Sequence, residues 1–156
     1  MSKIAVIGTG YVGLTTSIGM ASLGHDVIGY DIDAAKVEML KAGKLPIHEP
    51  GLDVILASVL KSGNLQATSD LALAVSSADF IFTCVPTPQD EDGSADLSYV
   101  IAASQAMKGL LKAGAVVVTK STVPVGSAQR VEAAIDRDDI QVASNPEFLR
   151  EGAAVH

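Results

Sequence analysis

Hydrophobic residues follow two alternating patterns along the chain. Short, nearly continuous runs of β-branched residues, such as residues 4–7 and 116–118, predict strands that are covered on both faces. Longer stretches with apolar residues at helical spacing separate these runs and predict helices. The predicted strands cover residues 3–8, 26–31, 64–67, 80–85, 115–120 and 140–144. The predicted helices cover residues 11–23, 33–41, 52–61, 70–76, 97–111 and 126–135. Asp33 is the expected N-cap of the second helix.

The alternation of strands with helices favours one architecture. It predicts parallel strands joined by right-handed helical crossovers, because a helix must lie between two parallel neighbours. Six strands favour the order 3-2-1-4-5-6, a doubly wound parallel α/β sheet of the Rossmann type. A chain of 156 residues, 48% of them apolar, is long enough to bury one core without disulfides or metals. We therefore expect residues 1–156 to form a single domain.

Charge and cysteine content exclude several classes of function. The chain has 18 acidic and 11 basic residues and no basic run, which argues against nucleic acid and anionic membranes as partners. No apolar stretch approaches the roughly 20 residues of a membrane span. The single cysteine excludes an internal disulfide, and no His, Cys and carboxylate set has metal-ligand spacing. No signal peptide precedes the first strand, so we expect a cytoplasmic protein.

Residues 8–13, G-T-G-Y-V-G, form a G-x-G-x-x-G motif between the first predicted strand and the first helix. The motif alone is weak, but this position is the one that a dinucleotide fingerprint requires. Gly8 allows a tight turn, Gly10 lets the backbone approach a pyrophosphate, and Gly13 lets the helix pack on the strand. The helix that begins near Tyr11 and Val12 offers free N–H groups to phosphates. The alternative is a tight turn without a ligand.

Asp31 ends the second predicted strand, 18 residues after Gly13. A carboxylate there accepts hydrogen bonds from the ribose of the cofactor and repels a 2′-phosphate, so NAD is favoured over NADP. Lys36 complicates this prediction, because a nearby cation can bind a phosphate. The two alternatives for Lys36 are a contact with the ribose and a solvated position on the surface.

Several residues follow the carboxyl ends of the last three strands, the edge at which doubly wound proteins bind ligands. Four of the six prolines, at positions 86, 88, 124 and 146, lie there. Thr122 contributes a hydroxyl. Glu147 and Glu151 share a face if their segment is helical, and such a carboxylate acts as a general base or holds a water. The alternative is that both are solvated. Cys84 has no basic sequence neighbour and is expected to be a core or cofactor-lining thiol.

Five segments together resemble the nucleotide-sugar 6-dehydrogenase family, and they span the whole chain. The segments at 120–126 and 145–152 are far more specific than the glycine motif. The five are residues 8–14 (GTGYVGL), 45–52 (LPIHEPGL), 87–88 (TP) with 92–96 (DGSAD), 120–126 (KSTVPVG) and 145–152 (NPEFLREG).

The resemblance implies a four-electron oxidation of a UDP-sugar C6 alcohol to a carboxylate with two NAD. It implies that Thr122 and Glu147 are catalytic, holding or activating the hydrolytic water. The implied NAD contacts are Gly8, Gly10, Tyr11, Val12, Gly13, Asp31, Lys36, Thr87, Thr122 and Glu151. The implied substrate contacts are Glu147, Phe148, Leu149, Arg150 and Glu151.

The segment at 46–51 favours UDP-glucose as the substrate over GDP-mannose or UDP-N-acetyl-mannosamine. In the resembled family a cysteine nucleophile lies in the C-terminal half, and Cys84 does not match its motif. We therefore expect this chain to be the cofactor domain that precedes a central helix and a UDP-binding domain. Alone it is expected to be inactive, and the full enzyme is expected to be a homo-oligomer. A non-catalytic nucleotide-binding module is the alternative from another class.

Overall fold

The computed structural model describes residues 1–90 and 93–155, and in them six strands and six helices alternate with one exception, where two helices follow each other. The strands are β1 Lys3–Ile7, β2 Asp26–Tyr30, β3 Leu65–Thr68, β4 Phe80–Thr83, β5 Val116–Thr119 and β6 Gln141–Ser144. The helices are α1 Tyr11–Ser22, α2 Ala34–Lys41, α3 Leu52–Ser62, α4 Leu71–Val75, α5 Ser98–Met107 and α6 Ser127–Ile135.

All six strands join one parallel sheet in the order β3-β2-β1-β4-β5-β6. Central β1 pairs with β2 on one side and with β4 on the other, so that Val6 lies beside Gly29 and Phe82. The predicted Rossmann-type topology is therefore confirmed. The order reverses at β1, and this places the ends of β1 and β4 on either side of the crevice in which such sheets bind ligands.

Helices cover both faces of the sheet, as the unbroken apolar strands predicted. On one face, Ile4 and Val6 pack with residues of α1, α2 and α3, including Leu14 and Leu56. On the other face, alternate strand residues such as Ile7 pack with residues of α4, α5 and α6. This two-sided burial fixes the carboxyl edge of the sheet, on which the candidate site is built.

The element ends differ from prediction by a few residues. The predicted cap at Asp33 is confirmed, since its carboxylate accepts a hydrogen bond from Ala35 N at 2.9 Å. Helix α5 ends at Met107 rather than at residue 111, because residues 108–110 form a turn. The condition under which Glu147 and Glu151 would share a helical face is not met, because residues 145–155 contain turns and irregular backbone. Asp92 of the resembling DGSAD segment lies outside the described residues.

Within residues 1–90 and 93–155, no helix combines the length and the apolar character that crossing a bilayer requires. The same residues hold no group of three or more His, Cys, Asp or Glu side chains arranged for a metal ion.

Candidate active site

Two of the three motif glycines are required by the backbone itself. Gly8 has a φ of +94°, and a Cβ there would lie 2.7 Å from the carbonyl oxygen of Cys84. A Cβ on Gly13 would lie 1.8 Å from the carbonyl oxygen of Gly8, closer than any non-bonded contact allows. The turn from β1 into α1 therefore closes only with glycine at both positions.

Gly10 differs from both, because a Cβ on it would meet no atom within 4 Å of the described chain. Its φ of −70° is open to any residue, so neither packing nor backbone strain requires a glycine. It is the N-cap of α1, and no described side chain caps that helix. The first turn also holds no acidic residue. A bare helix N-terminus beside an open glycine fits the diphosphate of a dinucleotide, which needs close backbone approach and unpaired N–H groups.

Asp31 lies at the end of β2, is 7% exposed, and holds the glycine motif in place. Its Oδ2 accepts hydrogen bonds from Thr9 N at 2.8 Å and Thr9 Oγ1 at 2.7 Å, and its Oδ1 accepts one from Asp33 N at 3.0 Å. Burial, the largest single influence, raises the pKa of Asp31, but these bonds and nearby Lys36 together bring that pKa below its ordinary value. A carboxylate has about four acceptor positions, so one remains for a ribose hydroxyl.

A cavity of about 260 Å³ lies between the glycine motif and the loops that follow β4 and β5. It brings together residues that the sequence placed far apart, because the carboxyl ends of parallel strands share one edge. The predicted site residues in its wall are Gly10, Tyr11, Val12, Thr87, Thr122 and Glu147. The hydroxyl of Thr87 donates to the carbonyl oxygen of Thr122 at 2.9 Å, which fixes the two loops against each other.

Glu147 forms a partly buried ion pair in this cavity. Its Oε2 lies 3.2 Å from Nζ of Lys120, and each side chain is 14% exposed. Its Oε1 accepts a short hydrogen bond from Leu149 N. Oε2 is buried and accepts no aligned hydrogen bond from the described residues, so the ion pair with Lys120 compensates its charge. Lys120 also donates to Asn145 Oδ1 at 3.3 Å and thereby orients the strand end that carries Glu147.

Cys84 lines the same cavity as a partly buried thiol that also packs on the core. Burial raises its pKa to about 12; the Lys120 ammonium opposes this shift and the Glu147 carboxylate adds to it. A thiol with so high a pKa is protonated at neutral pH and is a poor nucleophile. Cys84 was predicted to be a core or cofactor-lining thiol, and its packing on the core agrees with the first of these alternatives.

The remaining predicted residues lie around the rim or away from the cavity. Phe148 is 87% exposed, and Arg150 and Glu151 are exposed as well. Leu149 instead lines a second cavity, of about 390 Å³, between α1 and residues 145–154. Asp31 and partly buried Lys36 lie outside both cavity walls.

Three participants were not predicted from the sequence. Thr9 and Lys120 stand inside recognised segments, but no local pattern assigned them a partner. Glu49, in the loop before α3, accepts hydrogen bonds from Tyr11, Gly152 and Ala154. A glutamate between His48 and Pro50 carries no signal of burial, because its donors lie 38 to 105 positions away along the chain.

Comparison with known proteins places the chain in one family. Residues 2–156 match the model described as UDP-glucose/GDP-mannose dehydrogenase family, NAD binding domain. A UDP-glucose 6-dehydrogenase of Rhizobium meliloti is 51% identical over 158 residues, covering 98% of this chain and 36% of that protein. A UDP-glucose 6-dehydrogenase of Pseudomonas aeruginosa is 45% identical and is covered to the same extents. The chain thus spans little more than a third of the length of these relatives.

Solved structures give the same picture. A UDP-glucose dehydrogenase from the archaeon Pyrobaculum islandicum aligns with a TM-score of 0.90 and 42% identity, over 99% of this chain and 38% of that one. A ternary complex of GDP-mannose dehydrogenase from Pseudomonas aeruginosa aligns with a TM-score of 0.87 and 34% identity, over 98% and 38% of the two chains.

Proposed function

This chain belongs to the UDP-glucose/GDP-mannose dehydrogenase family as its NAD-binding domain, and from that premise we propose that it serves in the oxidation of UDP-glucose to UDP-glucuronate with two NAD. The observation that carries the proposal is the cavity that joins the glycine motif to Thr122 and Glu147. UDP-glucose is preferred to GDP-mannose because the two relatives above with the highest identity bear the UDP-glucose name.

The described residues fit NAD at three points. The bare N-terminus of α1, with Gly10 open beside it, takes the diphosphate. Asp31 takes the adenosine ribose through its remaining acceptor position, and its lowered pKa keeps it charged at neutral pH, so it disfavours a 2′-phosphate. Thr87, Thr122 and Glu151 contact the rest of the cofactor from the cavity and its rim.

NAD, when bound, supplies the hydride acceptor of the reaction. Glu147 then acts as the general base or water-holding group, since its side chain lines the cavity. Lys120 and Leu149 N hold that carboxylate in one orientation. Thr122 holds the same water or the substrate hydroxyl from the opposite loop. Residues 147–151 offer the nucleotide sugar both an apolar side chain, at Phe148, and a cationic one, at Arg150.

Two further expectations belong to this proposal. We expect a cytoplasmic enzyme that works as a homo-oligomer. Exposed apolar side chains at Val125 and Phe148 support contacts with other parts of the enzyme.

Calorimetric titration of the chain with NAD and with NADP tests the cofactor assignment. We expect NAD to bind more tightly. Equal affinities would mean that Lys36 neutralises Asp31 and that the assignment to the ribose 2′ position is wrong.

The reaction is tested on the native gene product by NADH formation with UDP-glucose, GDP-mannose and UDP-N-acetyl-mannosamine. We expect UDP-glucose to be preferred and Glu147→Gln to lower kcat by about 10²-fold or more, the usual contribution of a general base. Glu132→Gln removes the same charge from the exposed face of α6 and is the matched control. Normal turnover by Glu147→Gln would move the water-activating role elsewhere, and the chain of 156 residues by itself should form no NADH.

A further inference from the structure

Glu49 is a buried carboxylate in the segment 45–52. Neither the resemblance nor the proposed chemistry assigns it a role. It lies in the irregular loop between α2 and α3 and is 4% exposed. Buried acidic groups are rare unless they are fully hydrogen-bonded, so its partners indicate what it does.

Three donors from two distant parts of the chain converge on this carboxylate. Tyr11 Oη donates to Oε2 at 2.7 Å, and Gly152 N donates to the same oxygen at 2.8 Å. Ala154 N donates to Oε1 at 2.8 Å. Tyr11 belongs to the glycine motif, whereas Gly152 and Ala154 belong to the segment that carries Glu147 and Glu151. One carboxylate therefore connects the two halves of the candidate site.

The three donors stabilise the negative charge of Glu49. The hydrogen bond from Tyr11 lowers the pKa of Glu49; burial opposes this, and the Ala154 and Gly152 amides and His48 add to the lowering. Burial and the same Glu49 contact raise the pKa of Tyr11 to about 12, so Tyr11 remains a donor at neutral pH. The negative charge of Glu151 also raises the pKa of Tyr11.

Among the described residues, few other contacts hold this segment in place. Residues 150–155 form no helix or strand, and their backbone forms turns, one of which is closed by Ala153 N donating to Arg150 O at 3.0 Å. Beyond that turn, Val155 packs against the core beside Gly51. Tyr11 Oη also lies 3.4 Å from Arg150 O, a long contact. The position of Arg150 and Glu151 relative to the glycine motif thus depends mainly on Glu49.

We propose that Glu49 is a positioning residue for the cofactor site: it joins Tyr11 of the glycine motif to the backbone of residues 152–154 and so preorganises the rim that Glu151 provides. Glu49 acts through these partners and need not touch the cofactor itself. The proposal rests on NAD binding at the glycine motif, as assigned above.

Glu49→Gln tests the proposal because the amide keeps the shape of the side chain but offers one acceptor oxygen where three donors converge. We expect the Kd for NAD to rise about tenfold by calorimetry, because a buried amide N–H is then left without its acceptor. Glu132→Gln, an exposed glutamate on α6, should keep the wild-type Kd. Amide hydrogen exchange without NAD gives a second readout: Gly152 and Ala154 should lose protection in Glu49→Gln while Val6 and Val118 in the sheet keep it.

A double-mutant cycle with Tyr11→Phe separates positioning from general destabilisation. We expect Tyr11→Phe to raise the Kd in the wild-type background and to have a smaller effect in Glu49→Gln, because the two share one hydrogen bond. Additive effects, or an unchanged Kd in Glu49→Gln, would overturn the proposal. If Glu49→Gln does not fold, Tyr11→Phe alone decides, and wild-type affinity there would overturn it. Absence of NAD binding by the wild-type chain would instead contradict the assigned function, since hydrogen exchange at Gly152 and Ala154 is measured without NAD.

Discussion

The glycine motif forms one wall of the candidate cavity and residues 145–155 contribute to a second wall through Glu147, but different interactions hold the two walls. In the glycine motif, backbone atoms determine the geometry, since a Cβ on Gly13 would collide with the carbonyl of Gly8. Residues 145–155 form no regular element after β6, and side chains from elsewhere fix them, chiefly Lys120 and Glu49. The backbone itself therefore fixes the wall formed by the glycine motif, whereas the wall formed by residues 145–155 depends on a few polar contacts.

This difference predicts different responses to substitution. Changes in the glycine motif should act through steric clashes. An added atom that meets the protein should affect folding, and an added atom that enters open space should affect binding. Changes around residues 145–155 should act through charge and hydrogen bonding. Four substitutions, in order of expected effect, test this distinction.

Gly13→Ala should have the largest effect. The added Cβ overlaps the backbone of the preceding turn, which cannot yield as a flexible side chain would, so we expect a loss of about 3 kcal/mol in the free energy of unfolding. Chemical denaturation measures it. Gly19→Ala lies on the exposed side of the same helix, where a Cβ meets nothing within 4 Å, and should gain about 1 kcal/mol. Equal stability of Gly13→Ala and wild type would contradict the steric account.

Lys120→Met tests the second wall. It keeps the length of the side chain but leaves Glu147 without its cation, and we expect a loss of about 2 kcal/mol in stability, below the range of about 3–5 for a fully buried pair. Thermal and chemical denaturation measure the change. Lys61→Met, on an exposed turn of α3, is the matched control and should stay within about 0.5 kcal/mol of wild type. If both lysine variants behave alike, the ion pair does not hold this wall.

Gly10→Ala should separate binding from folding. The new methyl group meets no protein atom, but Ala is a weaker N-cap than Gly, so the free energy of unfolding should fall by less than about 1 kcal/mol. The methyl group occupies the approach of the diphosphate, and we expect the Kd for NAD to rise at least about tenfold, or 1.4 kcal/mol. Calorimetry and denaturation on the same sample give both values. Unchanged affinity would show that the open space beside Gly10 is not the diphosphate site.

Asp31→Asn should have the smallest principal effect of the four, a loss of about 1 kcal/mol in the free energy of unfolding, because an amide oxygen in the Oδ2 position still accepts two of the three hydrogen bonds. The folded pKa of Asp31 lies below its ordinary value of 3.8, so the carboxylate stabilises the fold above that pH, and this contribution is lost as pH falls through the folded pKa. Unfolding measured from pH 5 to pH 2 should therefore show a shallower slope in Asp31→Asn than in wild type. Asp33→Asn, an exposed cap that asparagine fills equally well, should keep the wild-type free energy of unfolding at pH 7.

The two walls also differ in what the sequence could reveal. Strand order, the glycine turn and the Asp33 cap were predictable because they depend on local periodicity, backbone sterics and neighbouring residues. The placement of Glu147 and Glu151 was not, because their segment adopts its shape from contacts with Lys120 and Glu49 rather than from helical propensity. A four-residue spacing suggested a shared helical face, but long-range hydrogen bonds override it.

The burial of Glu49 could not be predicted from the sequence for the same reason. Its segment was recognisable, but burial of one glutamate depends on three donors that only the folded chain brings together. Asp31 was predicted as a ribose ligand, and the sequence did not show that the same carboxylate also holds Thr9. Polar groups that serve two partners at once are visible only in three dimensions.

The central claim is that the two walls form one NAD site, and amide NMR during an NAD titration of the wild-type chain tests it most directly. We predict that the amide signals of Gly10 and Gly13 and those of Leu149 and Gly152 shift together and yield one Kd. Shifts confined to the glycine motif, with the signals of residues 147–152 unchanged at saturation, would contradict the claim.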